Sequence, residues 1–360
     1  MATGLDISGL TLEAQEVQDM SAFIVEQVFN KPELRALHGV FTGVKMKEQI
    51  VFASQFSKMG MKKGSDCSRQ NSGASSTLTQ KYWEPNGIED TLVICPNELD
   101  SKFKAYFTKI RQYKQRYEIE GSDLETFFVM MVEEAIQRTI WRAAWLGDTS
   151  VAASGAATAG LKSSDNVKFY DYIDGLFAQI FAAVTAGDLE RYTIDKNAET
   201  TTAAQTALDS GEANDIFEGM WALADPRLKA NPNAKMYVTN GLFENQRQYL
   251  ESKSLAFTIE RNMQGFQELT WQGFPIVNME TVWDLDLLAD FEDNSTNNAY
   301  YLPNRAVFTV PENVPVATLS ENDLSELEIW YDRDNRQNKI AFGFDLDAKL
   351  LEEYMAVVAY

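Results

Sequence analysis

The chain has 360 residues, 45 % of them apolar, with 21 Phe, 14 Tyr and 7 Trp; it can bury a sizeable core and is long enough for two domains or one domain with large excursions. A formal net charge of −21 argues against gripping nucleic acid through a general basic surface, which needs Lys and Arg to displace counterions. Cys67 and Cys95 are too few for a disulfide framework or a four-ligand structural zinc, no signal-peptide pattern opens the chain, and the most apolar stretch (176–184) is too short to span a bilayer, so a soluble protein made in a reducing cytoplasm is expected.

Residues 1–44 open with a polar arm and a predicted helix, TLEAQEVQDMSAFIVEQVF. Thr11 is its N-cap, and Val17, Met20, Ile24 and Val28 share one stripe. Residues 45–98 change character. VKMKEQIVFASQF alternates like a strand, SKMGMKKGSDCSRQNSGASSTLTQ is rich in Gly, Ser and Lys, and KYWEPNGIEDTLVICP reads as a returning strand with a Pro-Asn-Gly turn inside it. Two strands thus flank a long polar tip, which is either functional or a plain surface loop. NELDSKFKAYFTKIRQYKQRYEI then predicts a helix with Leu99, Phe103, Phe107, Ile110 and Tyr113 at spacings of three and four and a cationic remainder. Residues 45–116 hold 13 Lys and Arg against 7 Asp and Glu, which leaves the rest strongly acidic. Either each part solvates itself, or the basic part lies on the acidic part of a neighbouring copy.

GSDLETFFVMMVEEAIQRTIWRAAWLGD predicts the clearest element. Ser122 and Glu125 form a capping box, and Gly147 stands at the C-cap. Leu124, Phe128, Met131, Ala135 and Arg138 follow one face; Phe127, Val132, Ile136, Ile140 and Ala143 widen it. A helix over 123–146 is a rod of roughly 36 Å, able to brace a broad, flat domain. SVAASGAATAGLKSS reads as a connection. YDYIDGLFAQIFAAVTAG and GEANDIFEGMWALADPRL predict helices, and AKMYVTNGLFENQRQYL a strand, turn and helix. FQELTWQGFPIVNMETVW predicts one or two strands bent at Gly273 and Pro275, and AVFTVP another strand. LEIWYDRDNRQNKIAFGF predicts a hairpin, and YMAVVAY a terminal strand that pairs within a sheet and ties down the chain's end.

Little in the chain suggests chemistry. His38 is the only histidine; no motif surrounds it, either cysteine or any serine, so it reads as structural or exposed. Phosphate-loop and dinucleotide fingerprints are absent. Asp332 and Asp334 lack the glycine and bidentate glutamate of a calcium loop and read as a charged hairpin turn; Asp290, Glu292 and Asp293 read as a solvated acidic loop. No catalytic residue, cofactor site or metal site is expected.

The order of these parts resembles the major capsid proteins of tailed bacteriophages, with the Hong Kong 97-type fold. The likeness rests on the arm, the extended hairpin, the long helix ending in WRAAWLGD, the stretches YDYIDGLFAQI, MYVTNGLFENQRQYL, WQGFPIVNM and NRAVFTVPENV, and the closing hairpin and strand. It implies an α+β fold with an N-terminal arm at 1–44. An extended β-hairpin, the E-loop, follows at 45–98 and lies over an adjacent subunit through Lys58, Lys62, Lys63, Arg69 and Trp83. A P-domain occupies 99–165, with a spine helix at 123–146 packing through Leu124, Phe128, Met131 and Ala135. An A-domain with a mixed sheet flanked by helices occupies 166–320, and a returning P-domain hairpin and terminal strand 321–360.

The resemblance further implies a non-enzymatic subunit that assembles with itself as hexamers and pentamers into an icosahedral shell. That shell encloses double-stranded DNA without sequence-specific binding, uses no cofactor and meets no membrane. Its other partners would be separate scaffolding and portal proteins, with decoration proteins left open, and its place the virion after assembly in the host bacterial cytoplasm. Covalent crosslinking through the hairpin lysines finds no assignable Asn partner. Two alternatives remain: an encapsulin-like compartment shell, and a soluble hydrolase with an unrecognised site.

Overall fold

A computed structural model describes residues 32–44, 47–53, 78–94, 123–151, 160–253, 260–261, 267–291, 299–318, 328–332 and 337–360. The helices expected over 11–29 and 97–119 lie outside these residues. In chain order come α1 (Pro32–Leu37), β1 (Val40–Phe41), β2 (Gln49–Ala53), β3 (Leu78–Tyr82), β4 (Asn86–Ile94), α2 (Asp123–Leu146) and α3 (Leu176–Ala186). Then follow β5 (Glu190–Tyr192), α4 (Glu212–Leu223), β6 (Lys235–Val238), α5 (Asn240–Ser252), β7 (Glu260–Arg261), β8 (Gln267–Trp271) and β9 (Phe274–Asn278). A wide turn at Glu280–Asp284 runs into α6 (Leu285–Asp290), before β10 (Ala306–Thr309), β11 (Val316–Ala317), β12 (Glu328–Asp332), β13 (Gln337–Ala348) and β14 (Ala356–Ala359). The fold is α+β.

One sheet has seven strands in the order β5-β14-β10-β6-β9-β8-β7. Its inner strands read as continuous apolar runs because both faces are covered. Tyr237, Val277, Val307 and Val358 meet the core that holds α2 and α3. Their neighbours Met236, Ile276, Phe308 and Val357 meet a second core built with Ile216, Phe217 and Met220 of α4 and Leu242 and Phe243 of α5. At the β8–β9 bend Gln272 and Gly273 have φ of 48° and 90°; two left-handed residues make the tight hairpin turn whose twist suits the flanking strands.

The terminal strand lies inside the sheet, second from its edge, antiparallel to β10 and parallel to the edge strand β5. Even Tyr360 is fixed: its N–H donates to Tyr192 O at 3.2 Å, its carbonyl accepts from Ile194 N at 3.1 Å, and its ring meets Phe181 edge-on at 4.7 Å. β14 therefore joins the strands of the 166–320 stretch and not the hairpin that precedes it.

The second sheet is organised by β13. β12 pairs with Gln337–Ala341, β4 with Asn338–Leu346, and β11 with Asp347 and Ala348, while β1 lies parallel on β11. Phe342, Phe344 and Leu346 alternate into the α2 core. The Pro-Asn-Gly of KYWEPNGIED is not a turn: Asn86 and Gly87 already pair with Leu346 and Asp345, and the break falls at Trp83–Pro85. β4 thus leaves β3 and joins the closing hairpin, while β2 and β3 form a separate two-stranded ribbon.

Helix α2 has the expected bounds. At its end a Cβ on Gly147 would stand 2.5 Å from Ala143 O and 2.6 Å from Ile173 O, so only glycine lets residues 173–175 cross there. Among its described side chains the core face is centred on Ile136, Ile140, Ala143 and Ala144, the first three of which were expected to widen the apolar face. The stripe expected to pack through Leu124, Phe128, Met131 and Ala135 continues by helical spacing into Arg138 and Arg142. Ala135 is half-buried, Arg138 is exposed, and the first three side chains lie outside the description. We expect Ile140→Ala to cost roughly 2–5 kcal/mol in denaturant unfolding, and Arg138→Ala less than about 1 kcal/mol; equal losses would place the core on the wrong face.

Candidate intersubunit ribbon and its anchoring junction

β2 and β3 pair from Gln49↔Tyr82 to Ala53↔Leu78. Residues 54–77, between them, carry Lys58, Lys62, Lys63 and Arg69, which lie outside the described residues. The root of the ribbon is held within its own chain. Lys47 N–H donates to Trp83 O at 2.8 Å, and Trp83 N–H to Glu48 O at 3.0 Å. The Trp83 ring is 3 % exposed, among Val44, Ala317 and Ile50. Expected as an intersubunit contact, Trp83 instead fills the core under the ribbon and has no side-chain surface left for a neighbour. The aromatic surface at this root is supplied by Phe41 and Tyr82, both close to half exposed.

The root is also tied to the chain's end. Lys81 Nζ donates to Glu353 Oε1 and to Leu350 O, both at 2.6 Å. Glu84 N–H donates at 2.8 Å to Asp347 Oδ2, a buried carboxylate whose pKa is raised by loss of water and eased by Lys349 at 3.4 Å. Between the two sheets residues 349–355 have no ladder to join, and side-chain amides take its place. Gln179 donates to Ala348 O at 2.6 Å and accepts from Leu350 N at 2.9 Å. Asn313 donates to Glu352 O at 2.9 Å and accepts from Glu352 N at 2.8 Å. Each amide presents one donor and one acceptor, as a strand residue does. Sequence reading missed both; the only hint is that Asn313 stands between two prolines in VPENVP, where a ladder is not available.

The end of α2 forms the second part of the junction. Trp145 is fully buried, 4.9 Å from Trp283, 5.4 Å from Phe177 and 6.0 Å from Tyr237. Its indole N–H donates to His38 Nε2 at 3.0 Å. Arg142 forks onto Asp286, Nε to Oδ2 and Nη2 to Oδ1, both at 3.2 Å, which ties α2 to α6. Asp290, expected in a solvated loop, instead ends α6 and accepts from Tyr170 Oη at 2.7 Å and Asn166 Nδ2 at 3.1 Å; Glu292 and Asp293 lie outside the described residues.

Buried Arg305 donates to Leu302 O and Tyr301 O and stacks 4.6 Å from the Phe177 ring centre; burial lowers its pKa to about 10. Together with Asp148, Tyr170, Phe177 and Tyr301 it lines a cavity of about 180 Å³. Among the described residues no group of three or more His, Cys, Asp or Glu is placed to hold a metal, and no helix is long and apolar enough to cross a membrane. Asp332 ends β12, and Asp334 lies outside the described residues.

Solved structures resemble this arrangement over most of its length. A chain of the satellite phage P4 procapsid that includes the size determination (Sid) protein superposes with a TM-score of 0.54 at 10 % identity, covering 94 % of this chain and 97 % of that one. A chain from the capsid of an empty GTA particle gives a TM-score of 0.50 at 11 % identity, over 91 % and 88 %. The chain has their fold. A chain of the holo-SrpI encapsulin complex from Synechococcus elongatus gives a TM-score of 0.44 at 9 % identity, over 91 % and 87 %. No protein-family model and no curated protein matches the chain.

Asp284 makes the junction sensitive to alkali. Its Oδ2 accepts from Asn240 N, at the start of α5, at 2.7 Å, and burial raises its pKa to about 7. A carboxyl whose folded pKa is raised adds stability at low pH, and that contribution fades as pH rises through the folded value. Asp284→Asn keeps an oxygen acceptor and cannot ionise. Relative to wild type it should therefore gain stability from pH 5 to pH 8 in denaturant titrations; a constant difference would show that Asp284 is ordinarily ionised.

Proposed function

We propose that this chain is a structural subunit of the icosahedral head of a double-stranded-DNA phage, assembling with copies of itself as hexamers and pentamers. The observation that carries the reading is the fold match with the procapsid chain, which spans nearly the whole of both chains. The charge layout supports it: residues 45–116 are basic in an otherwise acidic molecule.

In Hong Kong 97-type terms, the N-terminal arm runs to residue 44, and the E-loop is the β2–β3 ribbon with residues 54–77. The P-domain combines α2 with the β13 sheet, including β4. The A-domain is the seven-stranded sheet with α4 and α5, and β14 belongs to it. Trp83 and Lys81 fix the ribbon's root, so the contacts with a neighbouring subunit fall to Lys58, Lys62, Lys63 and Arg69. These cations meet the acidic body of the next subunit, where complementary charge sets register more than affinity. Closed shells repeat a few heterologous contacts by symmetry. Each contact can be weak, because every subunit makes several at once. An acidic inner wall has no need to grip the genome. Separate scaffolding and portal proteins complete the assembly in the bacterial cytoplasm, and no step asks for a catalytic residue or cofactor.

Electron microscopy of the purified protein, alone and with co-expressed scaffold, should show hexamers, pentamers or shells that loosen as salt screens the contacts; monomers at high concentration in every salt would contradict the reading. Deleting residues 58–76 should leave a folded subunit, by circular dichroism and melting, that forms no stable shells. Normal shells from that deletion would remove the E-loop assignment.

A further inference from the structure

Three separated parts of the chain meet at His38. The ring is 1 % exposed. Nδ1 lies 2.8 Å from Val314 O, and a carbonyl only accepts, so Nδ1 carries the hydrogen. Nε2 is then bare, and it accepts the Trp145 indole N–H. Both ring nitrogens are used, and one neutral tautomer satisfies both bonds. His38 follows α1, Trp145 sits in the last turn of α2, and Val314 lies between β10 and β11. Other bonds fasten the same segment. Ala36 O accepts from Lys235 Nζ at 3.2 Å, and Leu37 O from Tyr237 Oη at 3.1 Å. Gly39 donates to Pro311 O and accepts from Val316 N, each at 2.8 Å. Of all these, the His38–Trp145 bond is the one that a single proton abolishes.

We propose that His38 is an acid-released latch, and that protonation at Nε2 detaches residues 32–44, with β1, from the end of α2 and from β11, while the seven-stranded sheet and the pairing of β4 and β12 with β13 stay folded. The imidazolium has N–H on both nitrogens. Donation to Val314 survives, but at Trp145 two donors then face each other, and the buried indole N–H loses its acceptor.

Among the described residues no carboxylate bonds the ring to welcome the charge, and the ionisable groups around it are Arg35 on α1, Glu312 in the turn after β10, and Lys235 and Tyr237 on β6. On α2 the charged residue closest in sequence to Trp145, Arg142, is engaged with Asp286. Arg35 and Glu312 border a cavity of about 230 Å³ beside His38, so the segment has room to lift there. Burial lowers the His38 pKa from 6.5 to about 4, opposed by the Val314 carbonyl. A histidine whose folded pKa is lowered stabilises above its free value, and that contribution is lost as pH falls towards the folded one. The latch therefore holds at neutral pH and weakens between pH 6.5 and about 4. It is a property of the single subunit and does not rest on the shell reading.

Hydrogen exchange by mass spectrometry on the full chain from pH 7 to pH 4, corrected for intrinsic exchange, tests it. The amides of Gly39, Val44, Val316 and Thr318, all bonded where the segment meets β11 and its flanks, should lose protection by up to about tenfold per pH unit. Those of β10 and β14 should keep theirs. His38→Gln offers an oxygen to Trp145 and does not titrate, so its profile should be flat. An equal acid loss in the variant, or full protection of the wild type at pH 4, overturns the latch. If the variant fails to fold, the single histidine's imidazole resonances decide. A midpoint near pH 4 that tracks the exchange supports the latch; titration at the ordinary value of about 6.5, or exchange loss at an unrelated pH, overturns it.

Discussion

Residues 349–360 leave one sheet and enter another between two of its strands, and each buried polar group on the way must find a partner outside a regular ladder. Gln179 and Asn313 meet that demand with side-chain amides, and Thr309 Oγ1 continues it by donating to Met355 O at 2.8 Å. Once across, β14 fills the gap between β10 and β5, and alternate residues of one short strand serve two cores. A chain end normally frays; this strand is a structural member, and without it the edge strand β5 has no partner in the sheet.

The same crossing bears the ribbon. Lys81 reaches Leu350 and Glu353, and Glu84 reaches Asp347, so the ribbon's root rests on the stretch that links the two sheets. The Lys81–Glu353 pair is partly exposed and contributes little stability by itself. Its consequence is geometric: a pull on the ribbon is delivered where the sheets join and not to one sheet alone. Trp145 gathers α2, α3, β6 and the His38 segment around one indole.

Local signals in the sequence carried well. Helix α2 runs from Asp123 to Leu146 as its sequence signals indicate, with Gly147 directly after it, and the apolar runs AVFT and AVVA are strands in place. Partnership carried poorly, because periodicity says which face is apolar and not what covers it. The closing hairpin and terminal strand adjoin in sequence yet belong to different sheets. Pro85-Asn86-Gly87 has turn composition, but Glu84 and Gly87 are committed to Asp347 and Asp345, far along the chain. On α2 the expected widening of the apolar face through Ile136, Ile140 and Ala143 is buried, whereas the other stripe runs into exposed Arg138, and its Leu124, Phe128 and Met131 lie outside the described side chains. His38 had no motif around it because its partners, Trp145 and Val314, are contributed by elements remote in sequence. Trp83 falls within the E-loop stretch that the resemblance implies, and its size suits it to the small core at the ribbon's root.

The reading of this molecule as a shell subunit turns on whether the basic tip of the ribbon touches another copy. Particles assembled from equal amounts of ¹⁴N- and ¹⁵N-labelled protein, crosslinked with a lysine-to-carboxylate reagent and digested, answer this by mass spectrometry. Crosslinks from Lys58, Lys62 or Lys63 to Asp and Glu of the body should join differently labelled peptides about as often as like-labelled ones. Crosslinks confined to like-labelled pairs would mean that the tip folds back on its own chain, which contradicts the proposed assembly.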